Sequence, residues 1–409
     1  MADPLRIGIV GARFAARFHW QGYRRVSGVP VEVVAVTSTS PQSRDKFALD
    51  CKATPCAGLD ELCDLADVID ICSPPSTHEP LAIHALERGK HVVIEKPFTG
   101  YYGAPAPATP KPLKGASADD APFRGNAFPK LTMLGEAMAS AERILAAARA
   151  SGKRVCYAEN WVYAPAIAKE REIIAKTGAQ VLWIVGDESH SGSHSPYYGI
   201  WKHSGGGSLV GKGCHPLTAA LHLKRAEGEA RGAAASGQPI RPVTVSARTH
   251  EITRLKDFRD AGFLRTDYDD VEDYGFMHLT FDDGTVADIF SSELVMGGVH
   301  NWLEVFANNH RTRCNLNPID ALETYNPRED QFQDIYVTEK IGTKQGWSHP
   351  APDEDWQHGY PQEFQDFAES ISTGREPLSG AELARDTVAV LYSAYLSAER
   401  RGAEVEIPR

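Results

Sequence analysis

The sequence predicts an α/β protein with a parallel N-terminal sheet and a C-terminal α+β domain built on a large, mostly antiparallel open sheet. In the first 160 residues, short apolar strands alternate with helical patterns, which is typical of βαβ units. A glycine turn joins the first strand to the first helix. Beyond residue 160, longer strands follow one another through turns, and the turn at 281–285 (FDDGT) is a hairpin signal.

The length of the chain, 409 residues, is more than one compact core usually supports, so we expect two domains. We place them at residues 1–160 and 161–409. A stretch at 101–128, rich in Pro, Ala and Gly, predicts an inserted surface loop. This insertion follows the strand that ends at Lys96, so it either borders the ligand-binding edge or is a mobile segment without a role there.

The charge balance argues against two classes of partner. Lys and Arg number 43, and Asp and Glu number 54, for a net charge of −11. We therefore expect no nucleic-acid partner and no anionic membrane surface. An anionic small molecule stays compatible, because a pocket can be basic inside an acidic protein. No run reaches the roughly 18 apolar residues of a membrane span.

The N-terminus and the cysteines indicate a cytoplasmic protein. The first ten residues, MADPLRIGIV, lead into a predicted strand and lack the basic and apolar regions of a secretory signal. The seven Cys are odd in number and contain no C-x-x-C pair. This usage favours reduced thiols that act as small core residues.

Apolar runs predict the strands of the first domain, and the segments between them predict its helices. The last of these helices is strongly amphipathic and is ended by Gly152. The predicted strands are 5–11, 31–37, 66–72, 91–96 and 154–160, and the predicted helices are 14–26, 41–50, 77–90 and 131–151.

In the second domain the pattern changes to one helix followed by long strands. Two more helices, separated by a turn at Thr373-Gly374-Arg375, are predicted near the C-terminus. The predicted helix is 165–177, and the predicted strands are 180–189, 243–252, 274–281, 284–294 and 301–309. The simplest arrangement places one face of this sheet against the first domain.

A lysine follows the apolar strand that begins at His91. Glu95-Lys96-Pro97 would lie at the carboxyl end of a parallel strand, where open α/β sheets bind their ligands. Pro97 stiffens the chain after the lysine and so fixes its direction. A lysine in this place can polarise or protonate a substrate oxygen while a cofactor takes a hydride. For the tripeptide alone, an ordinary exposed strand end is the alternative.

The turn after the first strand lies where a dinucleotide fold binds a pyrophosphate. In the pattern G-x-G-x-x-G/A the positions would be Gly11, Arg13 and Ala16, so an arginine replaces the second glycine. Its side chain could itself pair with a phosphate. A plain strand–helix corner is the alternative. The candidate cofactor-binding residues of this turn are Gly8, Gly11, Ala12, Arg13 and Phe14.

The second strand ends without the Asp or Glu that usually binds the ribose 2′-hydroxyl of NAD. Ser38 and Thr39 stand there instead. The missing carboxylate removes a repulsion against a 2′-phosphate, and Arg13 or Arg44 could supply an attraction. NAD and NADP both stay open as the cofactor, and we favour NADP.

Four segments, 8–19, 68–97, 201–217 and 363–378, are spread in order over nearly the whole chain. In this combination the chain resembles the oxidoreductase family named for glucose–fructose oxidoreductase, inositol dehydrogenase and the rhizopine-catabolism protein. The most specific of the four is VIDICSPPSTHEPLAIHALERGKHVVIEKP at 68–97. The resemblance implies a Rossmann domain and then an α/β domain whose open sheet often forms the oligomer interface. It also implies a nicotinamide cofactor and a sugar, sugar-derivative or polyol substrate.

The resemblance assigns roles to individual residues. Lys96 matches the family's catalytic lysine, and Glu95 matches the residue that orients it. His215 matches a histidine of the active site and can act as a general base. Residues implied along the cofactor are Ser73, Pro74, Thr77, His78, Glu95, Lys96 and Asn160, and those implied at the substrate are Lys96, Asn160, Tyr163, His194, Trp201, Lys202 and His215.

The chain departs from the family in the pattern D-x-G-x-H, which here reads Gly211-Lys212-Gly213-Cys214-His215. A glycine replaces the Asp, so the usual Lys–Asp–His arrangement is in doubt. Lys212 could favour an acidic or phosphorylated substrate, but we expect its side chain to face solvent.

Further histidines and aromatic residues cluster before this motif, as in many sugar sites. Histidines so close to His215 could also bind a divalent metal, but no spacing matches a metal motif, and we expect none. Trp356, His358 and Tyr360 are further candidates that could equally be packing residues. The cluster comprises His190, His194, Tyr197, Tyr198, Trp201 and His203.

Three functions are compatible with these residues. The first is an NAD(P)-dependent dehydrogenase in which Lys96 stabilises the substrate oxygen and His215 moves the hydroxyl proton. The second is redox-neutral elimination or glycosidic cleavage through transient oxidation of the sugar. The third is a sensor that binds nucleotide and sugar without catalysis. We favour the first and expect a homo-oligomer, either a dimer or a tetramer.

Overall fold

The structure is a computed structural model that describes residues 3–103, 123–193, 195–231, 239–317 and 319–409. Most of the predicted insertion at 101–128 lies outside the described residues, and so does the predicted substrate residue His194.

Among the described residues, the N-terminal sheet has six strands, all parallel, in the order β3-β2-β1-β4-β5-β6. The strands are β1 Leu5–Val10, β2 Val31–Thr37, β3 Thr54–Pro55, β4 Val68–Ile71, β5 His91–Glu95 and β6 Val155–Ala158. The helices between them are α1 Phe14–Tyr23, α2 Pro41–Cys51, α3 Leu59–Leu65, α4 His78–Glu87 and α5 Lys130–Ser151. This arrangement confirms the predicted parallel α/β domain.

The strand order creates a crevice at the carboxyl edge of this sheet. From β1 the chain continues outward on one side through β2 and on the other through β4. Helices that follow β1 and β4 therefore lie on opposite faces, and a ligand fits between them. Strands β4 and β6 are buried along their whole length, which explains why their sequences are apolar apart from Asp70.

The C-terminal sheet is mixed but mostly antiparallel, which confirms the prediction for this half. Its order is β12-β11-β7-β10-β9-β8-β15. The pair β7–β10 is parallel, and the other pairs are antiparallel. The strands are β7 Val181–Ser189, β8 Pro242–His250, β9 Tyr274–Phe281, β10 Val286–Ser292, β11 His300–Ala307, β12 Arg311–Asn317 and β15 Val405–Glu406, and β13 Thr324–Asn326 with β14 Gly346–Ser348 forms a separate ribbon.

Helices lie between this sheet and the N-terminal domain, on the face that was expected to lie against that domain. Helix α11 contacts α5 and β6 on one side and β8 on the other, and α8 packs on β7. Alternate residues of β9 are buried against this layer, as the two-residue period of a strand requires. The helices of this half are α6 Pro165–Thr177, α7 Trp201–Ser204, α8 Cys214–Ala230, α9 Glu354–Gln357, α10 Tyr360–Thr373 and α11 Ala381–Glu399.

Two elements near the predicted motif did not follow from the sequence pattern. A π-helical turn at Leu209–Gly213 leads directly into α8. The first half of α8 is buried on all sides, from Cys214 to Lys224, so it has no polar stripe to give a helical period. The predicted domain boundary at 160/161 stays a prediction.

Candidate active site

Lys96 lies at the end of β5 and points towards the C-terminal domain. Its Nζ donates a hydrogen bond to the carbonyl oxygen of Gly211 at 2.9 Å and lies 5.1 Å from the ring centroid of Tyr198. The peptide bond to Pro97 is cis. The lysine therefore joins the carboxyl edge of the parallel sheet to the π-helical turn that precedes His215.

Lys96 is a hydrogen-bond donor at neutral pH. Burial alone would lower its pKa, but Tyr198 and Cys214, followed by Glu95 and Glu188, outweigh burial and raise the pKa well above its ordinary value. A charged ammonium group can hold or protonate a substrate oxygen, but it cannot serve as the base.

Glu95 is held by a buried histidine from the first helix. His19 Nε2 lies 3.2 Å from Glu95 Oε1, and Nδ1 of the same ring lies 2.9 Å from the Asp70 carboxylate. Burial would lower the pKa of His19, but Asp70 outweighs it and raises the pKa well above its usual value. His19, which the sequence analysis missed, thus fixes Glu95 beside the lysine.

His215 is the second residue of helix α8, and two neighbouring side chains orient its ring. Its Nδ1 donates to Glu159 Oε1 at 2.5 Å, and its ring stacks on Trp161 at 6.2 Å with an interplanar angle of 21°. Burial opposes the charged ring, but Glu159 and then Glu188 raise the pKa of His215 above its ordinary value. The Nδ1 contact leaves Nε2 to face Glu188.

Glu188, on β7, is a buried carboxylate that the sequence analysis also missed. Its Oε2 lies 3.9 Å from His215 Nε2 and has no hydrogen-bond partner among the described residues. Burial raises the pKa of Glu188 to about 7, although His215, Lys96 and Lys212 oppose the rise. The available signal was the acidic pair Asp187-Glu188 directly after the apolar run VLWIVG. A group that titrates near neutrality in a cleft is suited to proton transfer.

Tyr198 lies beside the position where the family motif has its Asp. A Cβ built on Gly211 would stand 3.5 Å from Tyr198 Cδ1, an ordinary contact. Position 211 therefore has room for a side chain, and β7 supplies Glu188, a further carboxylate near His215.

The prediction that Lys212 faces solvent is wrong. The π-helical turn directs its side chain inward, where it is 1% exposed and forms an ion pair with the buried Glu293. Burial would raise the pKa of Glu293, but Lys212 lowers it below its usual range. The charge of Lys212 is therefore already neutralised within the protein.

The turn after β1 fits a pyrophosphate. Gly11 has φ +118° and donates its N–H to Thr37 O at 2.8 Å. A Cβ at Gly11 would lie 2.7 Å from the carbonyl oxygen of Cys72, so only glycine brings the two strand ends this close. Helix α1 begins at Phe14 without a side-chain cap, so its first N–H groups suit an anion. Gly8 instead packs closely on Leu62.

The end of β2 presents hydroxyl groups. Ser40 caps α2 by accepting from Ser43 N, while Ser38 is partly exposed and Thr39 exposed. Arg44 is held by Asp45 at 2.7 Å and by the carbonyl oxygen of Cys56. Arg13 is exposed at the start of α1, next to Ala12 of the turn.

His78 connects the two loops that border the presumed cofactor position. Its ring nitrogens lie 2.9 Å from Pro97 O and 3.0 Å from Ser73 O. Thr77 closes the same loop through Ser73 Oγ at 2.6 Å and Pro74 O at 2.8 Å. The ring is fully buried, so His78 has a structural role and holds the segment after Lys96 in place through Pro97.

The remaining predicted substrate residues do not all reach this cluster. Asn160 donates to His358 O at 2.8 Å, and His358 Nε2 is buried without a partner among the described residues. Tyr163 is buried and bonds Asp366 at 2.8 Å. Trp201 is 1% exposed and packs on Tyr395.

For Tyr163 and Trp201 the contacts are those of packing residues, because each polar atom already has a partner. The Trp201 indole donates to Tyr101 O at 3.0 Å, and Ser379 N donates to Tyr163 Oη. Lys202 is exposed. Contact of these three residues with substrate stays a prediction without support from the geometry.

Within the described part of the chain, two groups of side chains have donor atoms within 4.8 Å of one another, a spacing that a metal could use. Neither group includes His190 or His203, the histidines suggested from sequence that the structure describes. The groups are His19, Asp70 and Cys72, and Glu159, Cys214 and His215. In both, a histidine and a carboxylate already share a hydrogen bond.

Family models match most of the chain. The model described as "Oxidoreductase family, NAD-binding Rossmann fold" matches residues 5–104. The model described as "Oxidoreductase family, C-terminal alpha/beta domain" matches residues 189–407. Among the described residues, no helix is long and apolar enough to span a membrane.

Curated relatives match over short segments. An "Uncharacterized oxidoreductase YdgJ" of Escherichia coli K12 is 37% identical over 101 residues, 24% of this chain and 28% of that protein. "UDP-N-acetylglucosamine 3-dehydrogenase" of Acidithiobacillus ferrooxidans is 34% identical over 97 residues, 23% of this chain and 29% of that protein. The matched segment thus spans less than a third of these relatives.

Solved structures match over the whole chain at low identity. GenD2 from gentamicin A biosynthesis, in complex with NAD, has a TM-score of 0.75 at 22% identity and covers 100% of this chain and 98% of its own. The myo-inositol 2-dehydrogenase of Lactobacillus plantarum has a TM-score of 0.68 at 16% identity and covers 99% and 100%. These similarities concern the fold.

Proposed function

Because the chain belongs to the Gfo/Idh/MocA oxidoreductase family, we propose that it is an NAD(P)-dependent dehydrogenase or reductase. The substrate would be a secondary hydroxyl or keto group of a sugar, sugar derivative or polyol. One observation carries the proposal. A charged Lys96, an oriented His215 and a buried Glu188 converge at the sheet edge where the Gly11 turn lies.

The residues present fit a dinucleotide. The N–H groups at Gly11 and in the first turn of α1 would hold the pyrophosphate, and the Ser73–Thr77 loop would line the nicotinamide half. NAD or NADP, when bound, supplies the acceptor or donor of a hydride. We propose NADP as the preferred form, because no carboxylate directly follows β2 and Arg13, just before α1, is exposed.

Lys96 would act on the substrate oxygen. Its ammonium group can exchange the hydrogen bond to the Gly211 carbonyl for one to the carbinol oxygen of the substrate. It would then stabilise the negative charge that develops on that oxygen. Because Lys96 stays charged, it can release a proton only to an oxygen that has become strongly basic. Lys96 is therefore suited to polarise the substrate oxygen during both oxidation and reduction.

His215 and Glu188 would carry the hydroxyl proton. A protonated His215 must first release a proton from Nε2 before it can accept one from the substrate, and Glu188 lies 3.9 Å away to take it. Glu188 titrates near pH 7, so it can take and return this proton close to neutrality. Glu159 keeps Nδ1 protonated and the ring in place.

The substrate class rests on the relatives. UDP-N-acetylglucosamine 3-dehydrogenase, glucose-6-phosphate 3-dehydrogenase and myo-inositol 2-dehydrogenase are all named for the oxidation of a sugar or cyclitol hydroxyl. The paired charge of Lys212 gives no support for an acidic group on the substrate at this site.

The proposal is tested by the absorbance of reduced nicotinamide with a panel of sugars, sugar acids and polyols, each with NAD and NADP. Wild type is compared with Lys96→Ala and with Lys176→Ala, in which a 75% exposed lysine outside the candidate site is removed. We expect a signal that Lys96→Ala abolishes and Lys176→Ala retains. Cofactor binding with silence across the panel would favour redox-neutral chemistry or sensing instead.

A further inference from the structure

A cavity of about 660 Å³ lies at the edge of the N-terminal sheet opposite to Lys96. It is lined by Arg154 and Val155 at the start of β6, whereas Lys96 follows the end of β5. Since β5 and β6 are parallel neighbours, these two positions are on opposite edges of the sheet. The volume is within the range of small-molecule pockets.

The cavity is lined by more cations than anions, in a protein whose net charge is −11. The lining carboxylates are Glu229, Glu376 and Glu382, of which Glu376 already pairs with Arg154. The lining cations come from α5, the loop before β6, α6 and α8. They are Arg149, Lys153, Arg154, Arg171 and Arg225.

Three of the lining side chains have nitrogen atoms without a hydrogen-bond partner among the described residues. These atoms are Arg171 Nε, Arg225 Nη1 and Nε2 of His222, a side chain that is only 5% exposed. Arg225 lies 3.8 Å from Asp386, beyond hydrogen-bond distance. Buried donors normally have partners, so these atoms indicate a missing acceptor.

A helix N-terminus opens into the same space. Gly380, Ala381 and Leu383 line the cavity at the start of α11, a 19-residue helix without a side-chain cap. Its first N–H groups need acceptors, and the helix dipole favours an anion. The guanidinium nitrogen atoms without a hydrogen-bond partner and this helix end therefore point to the same kind of ligand.

We propose that this cavity is a binding site for a phosphoryl group, carried by a small phosphorylated metabolite. Guanidinium groups match phosphate oxygens in paired geometry, and the volume has room for more than a bare ion. The site is independent of the Lys96 cluster.

The test is a titration of the full-length protein with inorganic phosphate and with glycerol 3-phosphate, at constant ionic strength and saturating NAD. NAD fills the Gly11 turn, the other place where a phosphate could bind. Affinity is measured by calorimetry. The local readout is the ¹³C-labelled histidine ring signal of His222, which His222→Gln identifies.

We expect saturable binding that shifts the His222 ring signal, because the bound anion would change the charge around this ring. Without an anion, burial, Arg171 and Arg225 lower the pKa of His222 to about 3, and a bound phosphate would offset the two arginines. Arg171→Gln with Arg225→Gln should weaken binding about tenfold or more. Lys176→Gln on the same helix as Arg171, where the lysine side chain is 75% exposed, should leave the affinity unchanged.

Tighter binding of glycerol 3-phosphate than of phosphate would support a metabolite, and the reverse order would support the free anion at the same site. Glycerol, which lacks the phosphoryl group, is titrated as the uncharged control. The proposal is overturned if the His222 signal stays in place, if glycerol binds as tightly as glycerol 3-phosphate, or if Lys176→Gln weakens binding as much as the arginine variants.

Discussion

Glu188 supplies a carboxylate to the active site from a strand, where the family motif would supply one from the turn before His215. Gly211 has no side chain, yet Glu188 lies within reach of His215 Nε2 and contributes to the raised pKa of Lys96. The position of a charge, and not its place in the chain, decides the chemistry of a site. We therefore regard Glu188 as the functional replacement for the missing Asp.

Adding the family carboxylate should partly rescue the loss of Glu188. Glu188→Gln should reduce kcat/KM about 100-fold, within the range expected for a lost proton-transfer group. Gly211→Asp has room beside Tyr198, so the double variant should recover part of the loss. Steady-state kinetics with the active substrate would show this. If the losses in kcat/KM of the two single variants simply add in the double variant, Glu188 does not take the place of the Asp.

The pKa of Glu188 also makes a prediction for stability. Its pKa is raised to about 7 in the folded protein from an ordinary value of 4.5. The folded state thus binds the proton more tightly, and this contribution to stability is complete below about pH 4.5 and lost as the pH rises through 7.

Glu188→Gln should therefore increase the free energy of unfolding at pH 8 by roughly 2 to 3 kcal/mol and change it little at pH 4. Urea unfolding at both pH values measures the difference. Glu406→Gln, at an exposed position, should show no such pH dependence. Equal effects of Glu188→Gln at the two pH values would contradict the buried, titrating carboxylate.

At the level of single elements, the turn between β1 and α1 shows what a glycine contributes. Gly11 and Gly89 both have positive φ, at +118° and +71°. A Cβ at Gly11 would contact the carbonyl oxygen of Cys72 at 2.7 Å, whereas a Cβ at Gly89 would have nothing within 4 Å. Substitution at Gly89 therefore tests the effect of backbone strain alone, whereas substitution at Gly11 adds a steric clash with Cys72.

Gly11→Ala should weaken NAD binding about tenfold or more, while Gly89→Ala should leave it unchanged. Both variants carry the strain of a positive φ, but only the first displaces the turn that would hold the pyrophosphate. Quenching of intrinsic tryptophan fluorescence by NAD would measure the affinities. Similar affinities of the two variants would place the cofactor elsewhere.

The elements themselves were predictable where the pattern had a clear period or a local signal. Strands β1, β2 and β5 follow from apolar runs, helix α5 from its amphipathic pattern and Gly152, and the lysine at the sheet edge from the Glu95-Lys96-Pro97 sequence. Glu188, the inward Lys212 and the buried start of α8 did not, because each depends on which distant segment covers it. Local sequence indicates an element but not the partner that buries it.

For the whole molecule, the outward face of the C-terminal sheet has the character of an interface. Trp183 stacks on Phe306 at 4.6 Å, and Phe276 lies 4.9 Å from Phe290 on the same face. Trp183 remains 38% exposed. Exposed aromatic patches of this kind mark association surfaces, which supports the expected homo-oligomer.

Trp183→Glu should shift the protein towards the monomer, because a charge would be buried in the interface without a partner. Light scattering after gel filtration measures the mass. Leu255→Glu, which also adds a charge at an exposed apolar residue away from the strands, should keep the wild-type mass. A wild-type monomer, or identical masses for all three proteins, would exclude this face as the interface.

The most direct test of the proposed function is a single-turnover experiment with the active sugar or polyol deuterated at its carbinol carbon. Mass spectrometry follows the label in the released nicotinamide for wild type and Lys96→Ala. We predict that wild type transfers deuterium to the released reduced nicotinamide and that Lys96→Ala does not. Label that stays in the sugar product, with the nicotinamide still oxidised, would contradict a dehydrogenase that depends on Lys96.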